Sequence, residues 1–514
     1  MISSRPEVLV IGGGATGAGI ARDLAMRGSK VLLVEKGDFS AGASGANHGM
    51  LHSGARYAVK DPSSARECAA EGRTLKRIAS FCIEDSGGLF VSLPGDDSEY
   101  LSKFLTSCAA AGVQANEVEV KEARELEPNL SLDIAAAVEV PDASVDPFFL
   151  IWGNIMSARA AGATALNHTP VHSFDVQDGR IVAAEIGDGK DRMTVRPELV
   201  INASGGWSGQ IASMAGLRLD MQLDKGTMIV FNGRVVNRLV NRLRPPSDGD
   251  ILVPHRSSTI LGTTSGAGEL GDVRSTGQEV ERLLDEVRGV IPGIGEARMI
   301  RAYAGVRPLL AGKAAGREAT RGFQVIDHAP EVDNMISVVG GKLTTYRSMA
   351  EKASDLVMAK LGSKGSCRTM LEELVPSCSD VTGDFPRTVM RGRYGARTGE
   401  MSVHSSVRGG DEACSCECVS YAELEYHAAS GDVRGPGDLM RRTRAGMGFC
   451  QAGLCAFGMA SVLEGEPIGQ AERFLKERWK GIEPVLRGDQ LRQEAFKAHL
   501  FRVYGIDHTS GGQE

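Results

Sequence analysis

A glycine-rich turn, Gly12-x-Gly14-x-x-Gly17, constrains this chain more than any other feature. The β-branched run Glu7-Val-Leu-Val-Ile11 precedes it, as a buried parallel strand requires, and the helix-forming stretch Ala18–Arg27 follows. Gly28 stops the helix, and Lys30-Val-Leu-Leu-Val34 forms a second buried strand that ends at Glu35. The spacing predicts a βαβ unit. Its first glycine permits the tight turn, its second lets a pyrophosphate reach the backbone, and its third packs helix on strand. The helix N-terminus offers unpaired N–H groups to the phosphates. A carboxylate at Glu35 accepts ribose hydroxyls and disfavours a 2′-phosphate.

The 514-residue chain exceeds a single core and divides into several domains. Hydrophobic residues make up 42% and charged residues 24%, ordinary for a globular protein, and the net charge of −7 argues against nucleic acid as a partner. An anionic ligand must then be gripped by a local set of Arg and Lys. The opening Met-Ile-Ser-Ser-Arg has no basic or apolar leader pattern, and no apolar run reaches about 18 residues, so neither secretion nor a membrane-spanning helix is expected.

Further elements place the dinucleotide more closely. Leu199-Val-Ile-Asn-Ala-Ser-Gly-Gly206 reads as a strand entering a glycine turn, and Ile336-Ser-Val-Val339 leads through Gly340-Gly341 into a helix over 343–361. A motif near the N-terminus whose closing strand comes hundreds of residues later suits FAD lying extended across the domain. The dipole of the late helix, aimed at the flavin, would stabilise its anionic reduced form. Residues 62–82 are expected to be helical. The segments 222–232 and 250–264 alternate as antiparallel strands do.

The expected architecture is α/β. An FAD-binding Rossmann-like domain (pieces about 1–90, 140–220 and 300–362) is interleaved with an α+β substrate domain (about 91–139 and 221–299). A linker at 363–405 precedes a small cysteine-bearing domain at 406–462 and a helical C-terminal segment at 463–514.

Ten cysteines are present. Cys68, Cys82, Cys108, Cys367 and Cys378 are scattered, as core thiols are. Cys414-x-Cys416 and Cys450-x4-Cys455 bring four thiols together from two turns, with Cys418 close by. Such a set suits a tetrahedral zinc or a [2Fe–2S] cluster, and the one-residue spacing of the first pair favours iron–sulfur.

Four segments resemble the FAD-dependent glycerol-3-phosphate dehydrogenases, and within them the large catalytic subunit of the anaerobic enzymes. They are Asn47-His-Gly-Met-Leu-His-Ser-Gly-Ala-Arg-Tyr57, Asp142-Ala-Ser-Val-Asp-Pro147, Arg301-Ala-Tyr-Ala-Gly-Val-Arg-Pro-Leu309 and Gly340-Gly-Lys-Leu-Thr-Thr-Tyr-Arg347. The likeness extends to the cysteine module and to Trp479-Lys-Gly-Ile-Glu-Pro484. It implies oxidation of sn-glycerol 3-phosphate to dihydroxyacetone phosphate by hydride transfer to FAD. It places Arg56, Arg307, Arg321 and Lys342 on the substrate phosphate, with His52 and Tyr57 in the same pocket. His52 is the first candidate for proton acceptor, Lys342 the alternative, and His255 a weaker one. The expected cofactor contacts are Gly12, Gly14, Ala15, Thr16, Gly17, Glu35, Lys36, Ser44, Ala203, Gly205, Gly341, Lys342, Leu343 and Thr344. The segment Arg441–Cys455 resembles the bacterioferritin-associated-ferredoxin (BFD) type of [2Fe–2S] domain, which implies Cys414, Cys416, Cys450 and Cys455 as ligands and leaves Cys418 out.

The resemblance also implies two further subunits, one of them an iron–sulfur membrane anchor that connects the chain to quinone. The chain would then lie in the cytoplasm, on the inner face of the membrane. The alternatives are a dehydrogenase of 2-hydroxy acids or amino acids, an oxidase, and a non-catalytic electron-transfer protein.

Overall fold

The computed structural model describes residues 4–189, 191–271, 273–310, 322–375, 385–403 and 411–503. Six strands form the first sheet, in the order Phe323–Asp327, Met335–Gly340, Leu199–Asn202, Val8–Ile11, Val31–Val34 and Thr164–Leu166. All neighbours run parallel except the edge strand Phe323–Asp327. Its strands are apolar on both faces because both are covered. Val8, Val10, Val31 and Leu33 face a core built with helices Ala15–Met26, Pro147–Ala160 and Tyr346–Lys360. Leu9, Ile11, Leu32 and Val34 face a small three-stranded sheet spanning residues 171–195. This is the expected βαβ unit, closed by a strand more than 300 residues away.

The second sheet has nine strands. Its longest pair is Met221–Asn232 with Met299–Leu310, antiparallel, and this register sets Gly226 opposite Gly305 and Asp224 opposite Arg307. Helix Gly277–Arg288, opened by a Thr276/Glu279 capping box, buries Val280, Leu283 and Leu284 against this sheet. The expected boundary, with 300–362 among the nucleotide-binding pieces, is corrected by the strand Met299–Leu310. Its pairing partner lies in the substrate-domain sheet, a long-range contact that local periodicity does not encode.

The cysteine module contains the pairing Glu412–Cys414 with Val419–Ser420 and helices Tyr421–Ala428, Pro436–Thr443 and Ala456–Ser461. Its core continues beyond 462, because Ala471 and Phe474 of helix Pro467–Ile482 are part of it. Helices Phe385–Tyr394 and Thr398–Val403 lie in the stretch expected to be linker, where Met390, Tyr394 and Met401 pack with Ala422. Helix Gly488–Val503 follows in the C-terminal segment.

Buried ion pairs clamp this module to the first domain. Asp38, three residues past Glu35, meets Arg441 at 2.5 Å and Arg442 at 2.6 Å. Arg442 also stacks 4.2 Å from the Trp152 ring. Asp146 meets Arg444 at 2.6 Å, and Arg444 reaches Glu417 at 2.8 Å. Burial alone would raise the Asp38 carboxyl, but Arg442 and Arg441 hold it at about 2. Its contribution is therefore fully present above the ordinary carboxylate value and is lost as pH falls toward about 2. Asp38→Asn removes the counter-charge of Arg442 and leaves Arg441 with Asp438, and is expected to cost roughly 3–5 kcal/mol. Thermal melting checks this: the wild-type advantage should be constant from neutrality to about pH 5 and shrink below about pH 4.

Candidate active site

A cavity of about 1600 Å³ opens between the two sheets and the module. At its dinucleotide end the backbone is drawn in tightly. Gly12 has φ +113°, and a Cβ there would stand 2.5 Å from the Ala203 carbonyl oxygen. A Cβ on Gly17 would stand 1.9 Å from the Gly12 carbonyl oxygen, which brings the helix down onto the strand. Gly14, Ala15, Thr16, Lys36, Ser44, Ala203 and Gly205 line the wall. Ala15 N–H donates to Ser44 Oγ at 3.0 Å, and no acidic residue occupies the first turn of the helix. Both oxygens of Glu35 accept backbone hydrogen bonds, from Gly13 at 2.7 Å and Gly37 at 2.8 Å, which fixes the carboxylate at the cavity wall. Lys36 Nζ lies 3.5 Å from the Trp207 ring centroid, and burial lowers its pKa. Gly17 and Thr344 lie behind the wall: Gly17 is a packing residue, and Thr344 Oγ1 accepts the His52 N–H at 3.1 Å. A cradle that any side chain would fill, an open helix N-terminus and an oriented carboxylate fit a dinucleotide such as FAD.

The opposite end gathers charge. Arg307 projects from strand Met299–Leu310, with Nη1 2.7 Å from Asp224 and Nη2 bonded to Thr263. Arg56 pairs with Asp250 at 3.2 Å, a carboxylate shared with Arg244 at 2.9 Å. Lys342 Nζ donates to Ser64 Oγ at 2.9 Å and lies 5.1 Å from the Tyr57 ring. Tyr57 Oη is 3.4 Å from His52 Nε2, and the two rings meet edge to face at 5.1 Å. Gly340 and Gly341, at φ +79° and +80°, swing the chain so that Gly341, Lys342 and Leu343 reach the cavity. The structure thus brings together His52, Arg56, Tyr57, Arg307 and Lys342, while Arg321 lies outside the described residues. His255 belongs instead to the module clamp, its Nε2 3.1 Å from Arg444.

Two residues of this end are missing from the set expected on sequence grounds. His48 stands 5.8 Å from His52, ring to ring. Burial, then Arg307 and Arg56, pushes it down to about 3, so it is neutral. Its Nδ1 accepts from Met50 N–H at 3.1 Å, which leaves the proton on Nε2 as a donor. Tyr303 Oη donates to the Asn47 carbonyl at 2.7 Å and ties strand to loop. The i, i+4 spacing of His48 and His52, and the alternation Arg301, Tyr303, Gly305, Arg307, are the available signals.

In the module the thiols interact as two pairs, Cys414 with Cys455 and Cys416 with Cys450. Backbone N–H groups aim at them: Gly446 and Glu417 at Cys414, Cys450 at Cys416, and Ala452 and Leu454 at Cys450. Hydrogen bonding from Cys416 pulls the Cys450 thiol down to about 6 despite burial. Gln451 and Ala452 adopt φ +50° and +68°, a conformation rare for residues with a Cβ; the Ala452 N–H is aimed at Cys450, while that of Gln451 donates to the Gly448 carbonyl at 2.9 Å. Among the described residues, the set of three His, Cys, Asp or Glu ligand atoms within 4.8 Å of one another is Asp38–His168–Asp438, and its Asp38 is held by two arginines. The four thiols therefore do not converge on one point, as a single tetrahedral ion requires. Two pairs ringed by N–H donors fit a two-iron centre. Cys418 turns its Sγ to the Ser415 carbonyl, 3.8 Å away.

Fold and cavity define a dinucleotide-dependent two-sheet oxidoreductase, and residues 7–354 match the model of the FAD dependent oxidoreductase (DAO) family. Over 529 aligned positions the chain is 40% identical to the anaerobic glycerol-3-phosphate dehydrogenase A subunit of Escherichia coli K12, with 97% of each covered. It is 42% identical to the A1 subunit of Haloferax volcanii, covering 96% of this chain and 90% of that one. The crystal structure of glycerol-3-phosphate dehydrogenase from Bacillus halodurans complexed with FAD shares the fold, with a TM-score of 0.71 at 22% identity over 94% of this chain and 96% of that one. The chain therefore belongs to the FAD dependent oxidoreductase family, and within it to the anaerobic glycerol-3-phosphate dehydrogenase A subunits.

Proposed function

We propose that this chain oxidises sn-glycerol 3-phosphate to dihydroxyacetone phosphate in the cavity and delivers the electrons through the cysteine module to partner subunits. The observation that carries this reading is the convergence of Arg307, Arg56, Lys342, His52 and Tyr57 at one end of a glycine-cradled cavity, in a chain of this family. FAD bound in the cavity supplies the hydride acceptor, and a [2Fe–2S] cluster on Cys414, Cys416, Cys450 and Cys455 supplies a one-electron carrier.

The remaining chemistry belongs to the side chains. Arg307, Arg56 and Lys342, with Arg321, hold the phosphate, and a guanidinium suits that task because its fork matches phosphate oxygens. Asp224 and Asp250 fix the two arginines before substrate arrives, so little ordering remains on binding. His52 accepts the C2 hydroxyl proton at Nε2, beside the Tyr57 hydroxyl, and its backbone is anchored by Thr344. His48 offers its Nε2 proton to the developing carbonyl oxygen.

The relatives are named as lettered components of an enzyme, which supports membership of a multi-subunit complex. We assign the partners as two further subunits, one of them an iron–sulfur protein at the membrane. No helix among the described residues is long and apolar enough to cross a bilayer, so contact with the inner face of the membrane and with quinone is made through those partners.

A substrate panel tests the proposal. The expected order of kcat/KM places sn-glycerol 3-phosphate at least about a thousandfold above glycerol, since the phosphate contacts are worth roughly 4 kcal/mol or more. Equal rates with glycerol, or a preference for a 2-hydroxy acid or amino acid, would overturn it.

A further inference from the structure

Between the cavity and the cysteine centre stand two guanidiniums that are not part of the substrate-binding set proposed above. Arg478 comes from the end of helix Pro467–Ile482, and Arg301 from the end of strand Met299–Leu310 remote from Arg307. Six steps of strand lead from Arg301 to Arg307, a span of roughly 20 Å. Both side chains line the cavity. Gly481 lets helix and strand close on each other: a Cβ there would stand 2.6 Å from the Ala302 carbonyl oxygen and 3.1 Å from Arg301 Nη2. Arg478 is 3% exposed, and its Nη2 donates to the Gly446 carbonyl at 2.9 Å and to Gln451. It therefore grips the loop that carries Cys450, and Gly446 is also a residue whose N–H aims at Cys414.

Among the described residues, neither arginine has the carboxylate that a buried cation normally requires. Their Nε atoms are buried without a hydrogen-bond partner there. The adjacent Glu477 is taken by Lys480 at 2.9 Å. The charged groups acting on Arg478 are Arg301, Cys455 and Cys450, and burial together with Arg301 lowers its pKa. The negative charge that faces Arg478 is thus the cysteine centre itself, while Arg301 stands behind it, 5.6 Å from the Tyr303 ring.

We propose that Arg478, backed by Arg301, is a positive bridge that makes the cysteine-bound cluster easier to reduce and so draws electrons out of the cavity. This rests on the [2Fe–2S] reading above. Uptake of one electron makes an anionic centre more negative by one charge, with no bond made or broken and no proton required. A fixed cation at low dielectric stabilises that extra charge.

The test is an EPR-monitored redox titration of the full-length, cluster-loaded protein in wild type, Arg478→Gln, Arg478→Lys and Arg301→Gln. Loss of charge in either glutamine variant is expected to lower the cluster potential by a tenfold or greater change in its reduction equilibrium, about 59 mV for one electron. Arg478→Lys is expected to stay near the wild-type value. The bridge is refuted if the glutamine variants titrate with wild type, or if the lysine variant falls as far as glutamine. A change confined to FAD retention or KM would also refute it, because the arginines would then hold an anion in the cavity. Should Arg478→Gln not fold, Arg301→Gln, at the cavity side of the pair, decides alone. A wild-type protein with no cluster signal would instead remove the [2Fe–2S] reading on which the bridge stands.

Discussion

Arg307→Ala is expected to lower kcat/KM for sn-glycerol 3-phosphate about a thousandfold while FAD stays bound. A charged contact to a phosphate in a partly dehydrated pocket is worth roughly 2–5 kcal/mol, and about 4 kcal/mol corresponds to that factor. Two losses combine here. The substrate loses a bidentate partner, and Asp224, only 2% exposed, loses the guanidinium that balances it 2.7 Å away. Asp224 keeps the hydrogen bonds from Ser265 and Gly266, but without the Arg307 guanidinium its charge repels the phosphate more strongly, so truncation costs more than the contact alone. Arg307→Lys keeps the charge but not the fork and is expected to fall between the two. FAD is retained because the hydrogen bonds that hold Glu35 and Ser44 to the glycine turn do not involve Arg307. Steady-state kinetics with a flavin absorbance spectrum of each variant checks both halves. A kcat/KM within about tenfold of wild type would remove Arg307 from the substrate site.

The second large effect separates the two centres. Cys450→Ser is expected to abolish the visible and EPR signals of the cluster and to lower turnover with the physiological acceptor by about a hundredfold or more, because a missing thiolate removes one corner of the site. Reduction of the flavin by substrate should change less than about twofold. The geometry supports that independence. Asp38 and Asp146 hold the module to the first domain through Arg441, Arg442 and Arg444, and none of these pairs involves a cysteine. Rapid-mixing spectroscopy measures the two rates separately. Loss of both would mean that the cysteine loop shapes the cavity as well as the cluster.

What the sequence reveals follows from the range of the interactions that build each feature. The dinucleotide half is legible because its parts are close in sequence: strand, glycine turn, helix and Glu35 lie within one βαβ unit, and the structure arranges them as expected. The cysteines are legible only as two local spacings, Cys414-x-Cys416 and Cys450-x4-Cys455; their crosswise pairing, Cys414 with Cys455 and Cys416 with Cys450, is not. The substrate end is not, because His52 with Arg56, Arg307 and Lys342 come from separate elements, and only the family resemblance gathers them. Their counter-ions Asp224 and Asp250 carry no local signature at all. His48 has no motif of its own beside His52, although its burial between Arg56 and Arg307 makes it a neutral donor. Strand Met299–Leu310 belongs to a different sheet from the one expected because its partner lies roughly seventy to ninety residues earlier and Pro308 blurs its pattern. The helix Phe385–Tyr394 looks like linker in sequence because its buried cluster positions, Met390 and Tyr394, are few and are satisfied by residues of other helices, Met401 and Ala422. Arg478 adjoins the Trp479–Pro484 segment of the family resemblance, but only the structure shows it between cavity and cysteines.

The most direct measurement is an anaerobic visible and EPR spectrum of the purified chain, loaded with FAD and cluster, before and after addition of sn-glycerol 3-phosphate. The expected result is bleaching of the flavin band together with the appearance of a reduced-cluster signal. A flavin band unchanged by sn-glycerol 3-phosphate but bleached by a 2-hydroxy acid or an amino acid would contradict the substrate assigned to this cavity.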